Sequence, residues 1–120
     1  MKTNLIDRTK KFSLDVISFV NKIEKNNTNK ILSSQLVRAA TSIGANYRAA
    51  LRAKSKADFI YKIKIVEEEA DETIYWLELI KETNMILNAN IDFILQEANE
   101  LTAIFSQISI TSKINKKFKS

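Results

Sequence analysis

Apolar residues recur every three or four positions along four segments of the chain, with polar residues between them. The first set comprises Leu5, Thr9, Phe12, Val16, Phe19 and Ile23. A spacing that alternates between four and three residues predicts an α-helix with one buried face. The asparagine-rich residues 26–29 interrupt the pattern and predict the end of this first helix.

Two further sets repeat the same spacing. The second set comprises Leu36, Ala40, Ile43, Tyr47, Ala50 and Leu51. The fourth comprises Ile91, Ile94, Ala98, Leu101, Phe105 and Ile108. We expect the second helix to begin at Asn29 or Ser33 and Asn90 to cap the fourth, because these side chains accept hydrogen bonds from the free amides of a first helical turn.

The third set lies between them and comprises Phe59, Ile63, Val66, Ala70, Thr73, Leu77 and Ile80. Its helix is expected to start at Ser55, because Ser55 and Asp58 have the spacing of a capping box. It is expected to run to about Thr83, since Asn84 suits a helix end.

The sustained spacing in four helices favours packing at small crossing angles. The predicted fold is therefore all-α, an antiparallel up-down-up-down four-helix bundle with short connections. We expect residues 1–112 to form this bundle and residues 113–120 to form a flexible basic tail.

The composition excludes most familiar active sites. The 120 residues include no His, no Cys and no Pro, and Gly44 is the single glycine. A chain without His and Cys has no Ser-His-Asp or Cys-His nucleophile and lacks the usual zinc ligands. We therefore expect no enzymatic activity, no cofactor, no metal and no small-molecule substrate. The charged N-terminus and short apolar runs predict neither a signal peptide nor a membrane span, so a cytoplasmic location is expected.

The net charge of +5 is unevenly distributed. Residues 30–64 carry eight basic residues and one acidic residue, residues 65–100 carry one and ten, and residues 101–120 carry four and none. Candidate phosphate-binding cations are Arg38, Arg48, Arg52, Lys54, Lys56, Lys113, Lys116, Lys117 and Lys119. The same cations also fit a solvated helix edge and a tail that aids solubility, and charge alone leaves both interpretations open.

The acidic run at residues 67–72 is better explained by ion pairs or a solvated face than by a metal site. Di-iron bundles use Glu-x-x-His pairs, and this chain has no His. Glu97 and Glu100 in the fourth helix do not reproduce a matching inward-facing pair.

Two surfaces of the predicted helices lie outside the apolar repeat. The third helix carries large apolar residues on a second face, and the second helix carries a strip of small residues that permits close approach of another helix. Together they are predicted as the interface of a homo-oligomer, with residues Ser42, Ala45, Asn46, Ala49, Tyr61, Ile65, Glu68, Glu72, Trp76 and Leu79. The alternative is that an irregular bundle buries this face itself.

The central segment resembles a known family. The resemblance rests on S-I-G-A-N-Y-R-A-A at 42–50, S-K-A-D-F at 55–59, I-V-E-E-E-A-D-E at 65–72 and Y-W-L-E-L at 75–79. These segments resemble the four-helix-bundle proteins encoded in intervening sequences of bacterial 23S ribosomal RNA genes. That ribosomal-protein-like family is related to the accessory variability protein of diversity-generating retroelements. Many members have Pro at position 44 and Glu-Gly at 49–50, where this chain has Gly, Ala and Ala.

The resemblance implies a homopentameric ring of four-helix bundles and a basic barrel that binds nucleic acid. Two hypotheses for the function stay open at this point. The first is binding of RNA or DNA through basic surfaces around the ring. The second is a structural or protein-interaction adaptor whose Arg and Glu residues pair within and between subunits. The expected partners are further copies of the chain and nucleic acid, without a membrane.

Overall fold

A computed structural model describes residues 4–85 and 90–119, with side chains as far as Ile114. It contains four α-helices in chain order, and no β-strand occurs in these ranges. They are α1 (Leu5–Lys22), α2 (Asn27–Leu51), α3 (Lys56–Thr83) and α4 (Asn90–Lys119). The all-α prediction is confirmed, and none of these helices is long and apolar enough to cross a membrane.

The start of α2 differs from the sequence prediction. Asn26 caps this helix, and its Oδ1 accepts a hydrogen bond from the Asn29 amide at 2.8 Å. The predicted start at Asn29 or Ser33 is therefore wrong. All four residues from 26 to 29 have side chains able to cap a helix, and the first of them takes that position.

The predicted start of α3 is confirmed. Ser55 caps the helix, and its Oγ accepts a hydrogen bond from the Asp58 amide at 3.1 Å. Asp58 Oδ2 in turn accepts a hydrogen bond from the Lys54 amide at 3.1 Å and one from Lys62 Nζ at 2.7 Å. The hydrogen bond from Lys62, followed by that from the Lys54 amide, lowers the pKa of Asp58 below its usual range.

The fourth helix extends beyond its predicted end. Its start is described only from Asn90, because residues 86–89 lie outside the described part of the chain, so the capping role of Asn90 stays a prediction. At its other end α4 continues to Lys119, past the expected boundary at residue 112. The flexibility of residues 113–120 stays a prediction.

The residues predicted from the apolar repeat form the core. Of the four sets, all but five members are buried; Leu5, Tyr47, Phe59 and Ile108 are half-buried, and Leu51, the last residue of α2, is 50% exposed. Ala39, outside the predicted set, is fully buried. The repeat thus identified the core-facing side of each helix.

The helices pack in sequence order, and α1 then closes the bundle against α4. The contact of α2 with α3 is the most extensive, and that of α1 with α4 is the smallest. Gly44 allows α1 and α2 to approach, because a Cβ added there would lie 3.2 Å from Thr9 Oγ1. Across the smallest contact, Arg8 forms two hydrogen bonds with the Glu97 carboxylate at 2.8 and 2.7 Å.

One end of the bundle is fixed by a pair of amides. Asn29 Nδ2 donates to Asn84 Oδ1 at 2.8 Å, and Asn84 Nδ2 donates to Asn29 Oδ1 at 2.9 Å. Asn29 also donates to the Glu24 carbonyl at 2.9 Å, and Asn84 to the Ile80 carbonyl at 2.7 Å. These bonds join the α1–α2 connection to the end of α3.

Candidate nucleic-acid and subunit interfaces

Four of the predicted cations lie at one end of the bundle, where α2 ends and α3 begins. Arg48, Arg52, Lys54 and Lys56 are all exposed. None of them forms an ion pair among the residues that the structure describes. We refer to these four residues as the basic turn. Its four side chains are thus exposed to solvent and free of ion pairs in the described ranges.

The basic turn lies far from the other connection of α2. This helix has 25 residues, which places its two ends roughly 37 Å apart at about 1.5 Å per residue. Lys22 and Lys30, which flank the α1–α2 connection, are also exposed. Cations of the basic turn and the pair Lys22 and Lys30 can therefore be substituted independently.

Arg38 behaves differently from the other predicted cations. Its guanidinium donates hydrogen bonds to Glu72 Oε1 and, at 3.3 Å, to Glu69 Oε2 on α3. The hydrogen bond with Glu72 raises the pKa of Arg38 above its ordinary value. The structure thus places Arg38 with the acidic residues of α3 and apart from the basic turn.

The cations of the C-terminal segment are described only in part. Lys113 is exposed on α4. The side chains of Lys116, Lys117 and Lys119 lie outside the described residues. Their predicted contact with nucleic acid stays a prediction.

The two predicted interface surfaces belong to α2 and α3, the helices with the most extensive mutual contact. The Arg38 bonds to Glu69 and Glu72 join the second helix to the acidic part of the third. On α2 the polar members of the small strip bond to their own helix: Ser42 Oγ donates to the Arg38 carbonyl at 2.6 Å, and Asn46 Nδ2 to the Ser42 carbonyl at 2.8 Å. Ala45 is exposed, and Ser42, Asn46 and Ala49 are half-buried. The strip presents a surface with few protruding groups.

The residues of the predicted α3 face differ in their exposure to solvent. Ile65, Glu72, Trp76 and Leu79 are half-buried, whereas Glu68 is exposed and Tyr61 is 66% exposed. Trp76 packs against the core of its own chain. The bundle therefore covers part of this face itself, as the alternative interpretation expected, and leaves the remainder to solvent.

One hydrogen bond and one ring contact hold the indole of Trp76 in place. Its Nε1 donates to Glu72 Oε1 at 3.2 Å, and the same oxygen accepts from Arg38. Tyr75 adds an edge-to-face contact, with ring centroids 5.2 Å apart. Burial raises the pKa of the neighbouring Glu69, and the charge of Arg38 opposes that rise. These contacts orient the polar and aromatic groups beside the small strip.

The acidic run forms ion pairs with nearby cations. Glu69 and Glu72 pair with Arg38, and Glu67 Oε1 lies 3.3 Å from Lys64 Nζ. Within the described ranges, no group of three or more carboxylates is arranged to hold a metal ion.

Sequence reasoning missed two exposed apolar positions on the first helix. Leu14 is 56% exposed and Ile17 is 37% exposed. Both lie outside the repeat that predicted the core. Projecting α1 on a helical wheel, as was done for α3, therefore identifies them as apolar residues on a second face. The described surface thus has apolar groups on α1 as well as on α3.

Comparisons with known proteins decide the family. The model of the 23S rRNA-intervening sequence proteins matches residues 1–107. The chain belongs to this family. A solved structure, described as a protein of unknown function from the S23 ribosomal protein family of Bacteroides thetaiotaomicron, is 34% identical. The match covers 88% of this chain and 98% of that one, with a TM-score of 0.76. A search of curated proteins found no match.

Membership confirms the resemblance seen in the central segment. The alignment includes nearly the whole length of the solved structure, so the two proteins share the four-helix architecture. The intervening-sequence family carries no stated activity in these matches.

Proposed function

We propose that this intervening-sequence protein is a non-enzymatic homo-oligomer that binds RNA or other nucleic acid through the basic turn. The observation that carries the proposal is the set of four exposed cations without ion pairs among the described residues. Cations that are free of ion pairs can contact phosphate groups, and each such contact favours binding by releasing counterions from the nucleic acid. Repetition of the basic turn around an oligomer increases the local positive charge.

Self-association is supported by two different partly exposed surfaces. One is the α2–α3 face with the small strip and Trp76, and the other includes Leu14 and Ile17 on α1. Association between unlike surfaces forms a closed ring when the rotation closes. The ring, its pentameric size and the proposed role of the α2–α3 face are parts of this proposal.

A charge-removal experiment tests the nucleic-acid part. We expect the double variant R48Q/R52Q to bind RNA more weakly than the parent protein. The slope of log affinity against log salt should become shallower by about 0.7 to 0.9 for each phosphate contact removed, the lower value applying to single strands. Fluorescence anisotropy with a labelled RNA at several salt concentrations measures both quantities.

The matched control is K22Q/K30Q, which removes the same charge from the opposite end of α2. It should retain the parental slope. No binding by the parent protein at low salt contradicts the proposal and favours the adaptor hypothesis. An equal loss in both double variants contradicts the assignment to the basic turn.

Substitutions in the α2–α3 face test self-association. We expect Trp76→Ala to give smaller particles in light scattering while the helical circular dichroism signal is kept. Because Trp76 also packs on its own core, Ala45→Glu serves as a second variant that adds bulk and charge at an exposed position. Ala103→Glu, which makes the same change at an exposed position of α4 outside both surfaces, is the control. Parental mass in both interface variants contradicts the assignment.

A further inference from the structure

The aromatic ring of Tyr61 is largely exposed and pairs with no other ring in the described part of the chain. The residue is 66% exposed. Tyr47 pairs with Phe105 at 5.4 Å and Tyr75 with Trp76 at 5.2 Å, whereas Tyr61 joins no ring pair and no hydrogen bond among the described residues. Its ring faces and its hydroxyl are thus accessible to a ligand.

Tyr61 lies near the basic turn along the chain, in the first two turns of α3. The Lys54 amide donates to Asp58 Oδ2 at 3.1 Å, and Asp58 precedes Tyr61 by three residues. Side chains three residues apart in a helix are neighbours on its surface. Tyr61 therefore lies about one helical turn from the cations of the α2–α3 connection.

The charge around Tyr61 does not repel a phosphate group. The carboxylate three residues before Tyr61, that of Asp58, is paired with Lys62 Nζ at 2.7 Å. Lys54 and Lys56 remain without ion pairs in the described part of the chain. An anionic backbone can therefore follow the basic turn while a base reaches the tyrosine ring.

Nucleic acids differ in whether they can use such a ring. A base in a duplex presents only its edges in the grooves, because both of its faces are stacked on neighbouring bases. A base in a single strand has a free face, and single-strand-binding proteins combine cations along the backbone with aromatic rings under the bases. We propose that Tyr61 stacks on a base of single-stranded RNA or DNA held by the basic turn. This inference rests on the proposed function and narrows it to single strands.

The assignment separates Tyr61 from the rest of the α3 face. Trp76 lies fifteen residues further along α3, roughly 22 Å away at about 1.5 Å per residue. Trp76 is half-buried and hydrogen-bonded, whereas Tyr61 is largely exposed. A subunit interface centred on Trp76 leaves Tyr61 at its edge, beside the basic turn.

Two substitutions of Tyr61 test the proposal with defined probes. The probes are a uridine oligonucleotide of about 20 residues and an RNA duplex of equal length, at one fixed salt concentration. We expect Tyr61→Ala to weaken oligonucleotide binding by about five- to a hundredfold, the range typical of one lost base stack. Tyr61→Phe, which keeps the ring, should bind within about twofold of the parent protein. Duplex binding should change by less than about twofold in both variants.

Phe93→Ala is the control, since Phe93 is 62% exposed and lies in the first turn of α4, away from the basic turn. It should leave both affinities unchanged. Equal losses on both probes, or no loss on the oligonucleotide, overturn the proposal. A smaller particle mass for Tyr61→Ala also overturns it and assigns Tyr61 to the subunit interface.

The outcomes distinguish this inference from the proposed function. Failure of the parent protein to bind either probe at low salt contradicts both. If R48Q/R52Q weakens binding and Tyr61→Ala leaves it unchanged, the stacking proposal alone is contradicted.

Discussion

Replacing Phe105 with alanine is expected to lower the free energy of unfolding by about 3 to 5 kcal/mol. Phe105 is fully buried in α4, and its ring packs edge-to-face on Tyr47 with centroids 5.4 Å apart. The substitution removes the apolar contacts of a complete ring and leaves a cavity between the second and fourth helices. Urea unfolding followed by far-UV circular dichroism measures the change at a fixed protein concentration, because self-association also affects stability.

The control for this substitution lies in the same helix. Phe93 is 62% exposed, and Phe93→Ala should change the free energy of unfolding by less than about 0.5 kcal/mol. Similar losses in the two variants contradict the placement of α4 against the core.

Breaking the Asn29–Asn84 pair should have the next largest effect. Asn29 is 3% exposed, and its amide exchanges two hydrogen bonds with Asn84. Removing either side chain leaves the Oδ1 of the other without its donor and takes one acceptor from its Nδ2, so Asn29→Ala and Asn84→Ala should each cost about 1 to 3 kcal/mol. The double variant should cost less than the sum, since both single substitutions remove the same two bonds.

A double-mutant cycle by urea unfolding measures this coupling. Asn27→Ala is the control, because Asn27 belongs to the same turn of α2 and is exposed. It should lie within about 0.5 kcal/mol of the parent protein. Strict additivity of the Asn29→Ala and Asn84→Ala effects contradicts the reciprocal amide pair.

The helices and their buried sides were predictable from local spacing, because a repeat of three and four residues has one structural solution. The first residue of α2 could not be predicted in this way. Four adjacent residues, 26–29, all have side chains able to cap it, and Asn29 instead pairs with Asn84, which is 55 residues away. A local pattern contains no information about that distant partner.

The candidate surfaces were predictable to a similar degree. Helical projection placed Tyr61 and Trp76 on one face, but their different burial depends on how neighbouring helices pack. The separation of Arg38 from the basic turn likewise depends on the alignment of α2 with α3, which brings Glu69 and Glu72 within reach. Charge counts along the chain cannot distinguish a paired cation from a free one.

The contact between Arg8 and Glu97 affects the order in which the bundle can be completed. These residues are 89 positions apart, and they join the pair of helices with the smallest mutual contact. During synthesis α1 leaves the ribosome first, yet its partner carboxylate is added only after most of the chain has been made. Until then, α2 supplies the main packing surface available to the first helix. The first of these four helices to be synthesised is therefore among the last to complete its contacts.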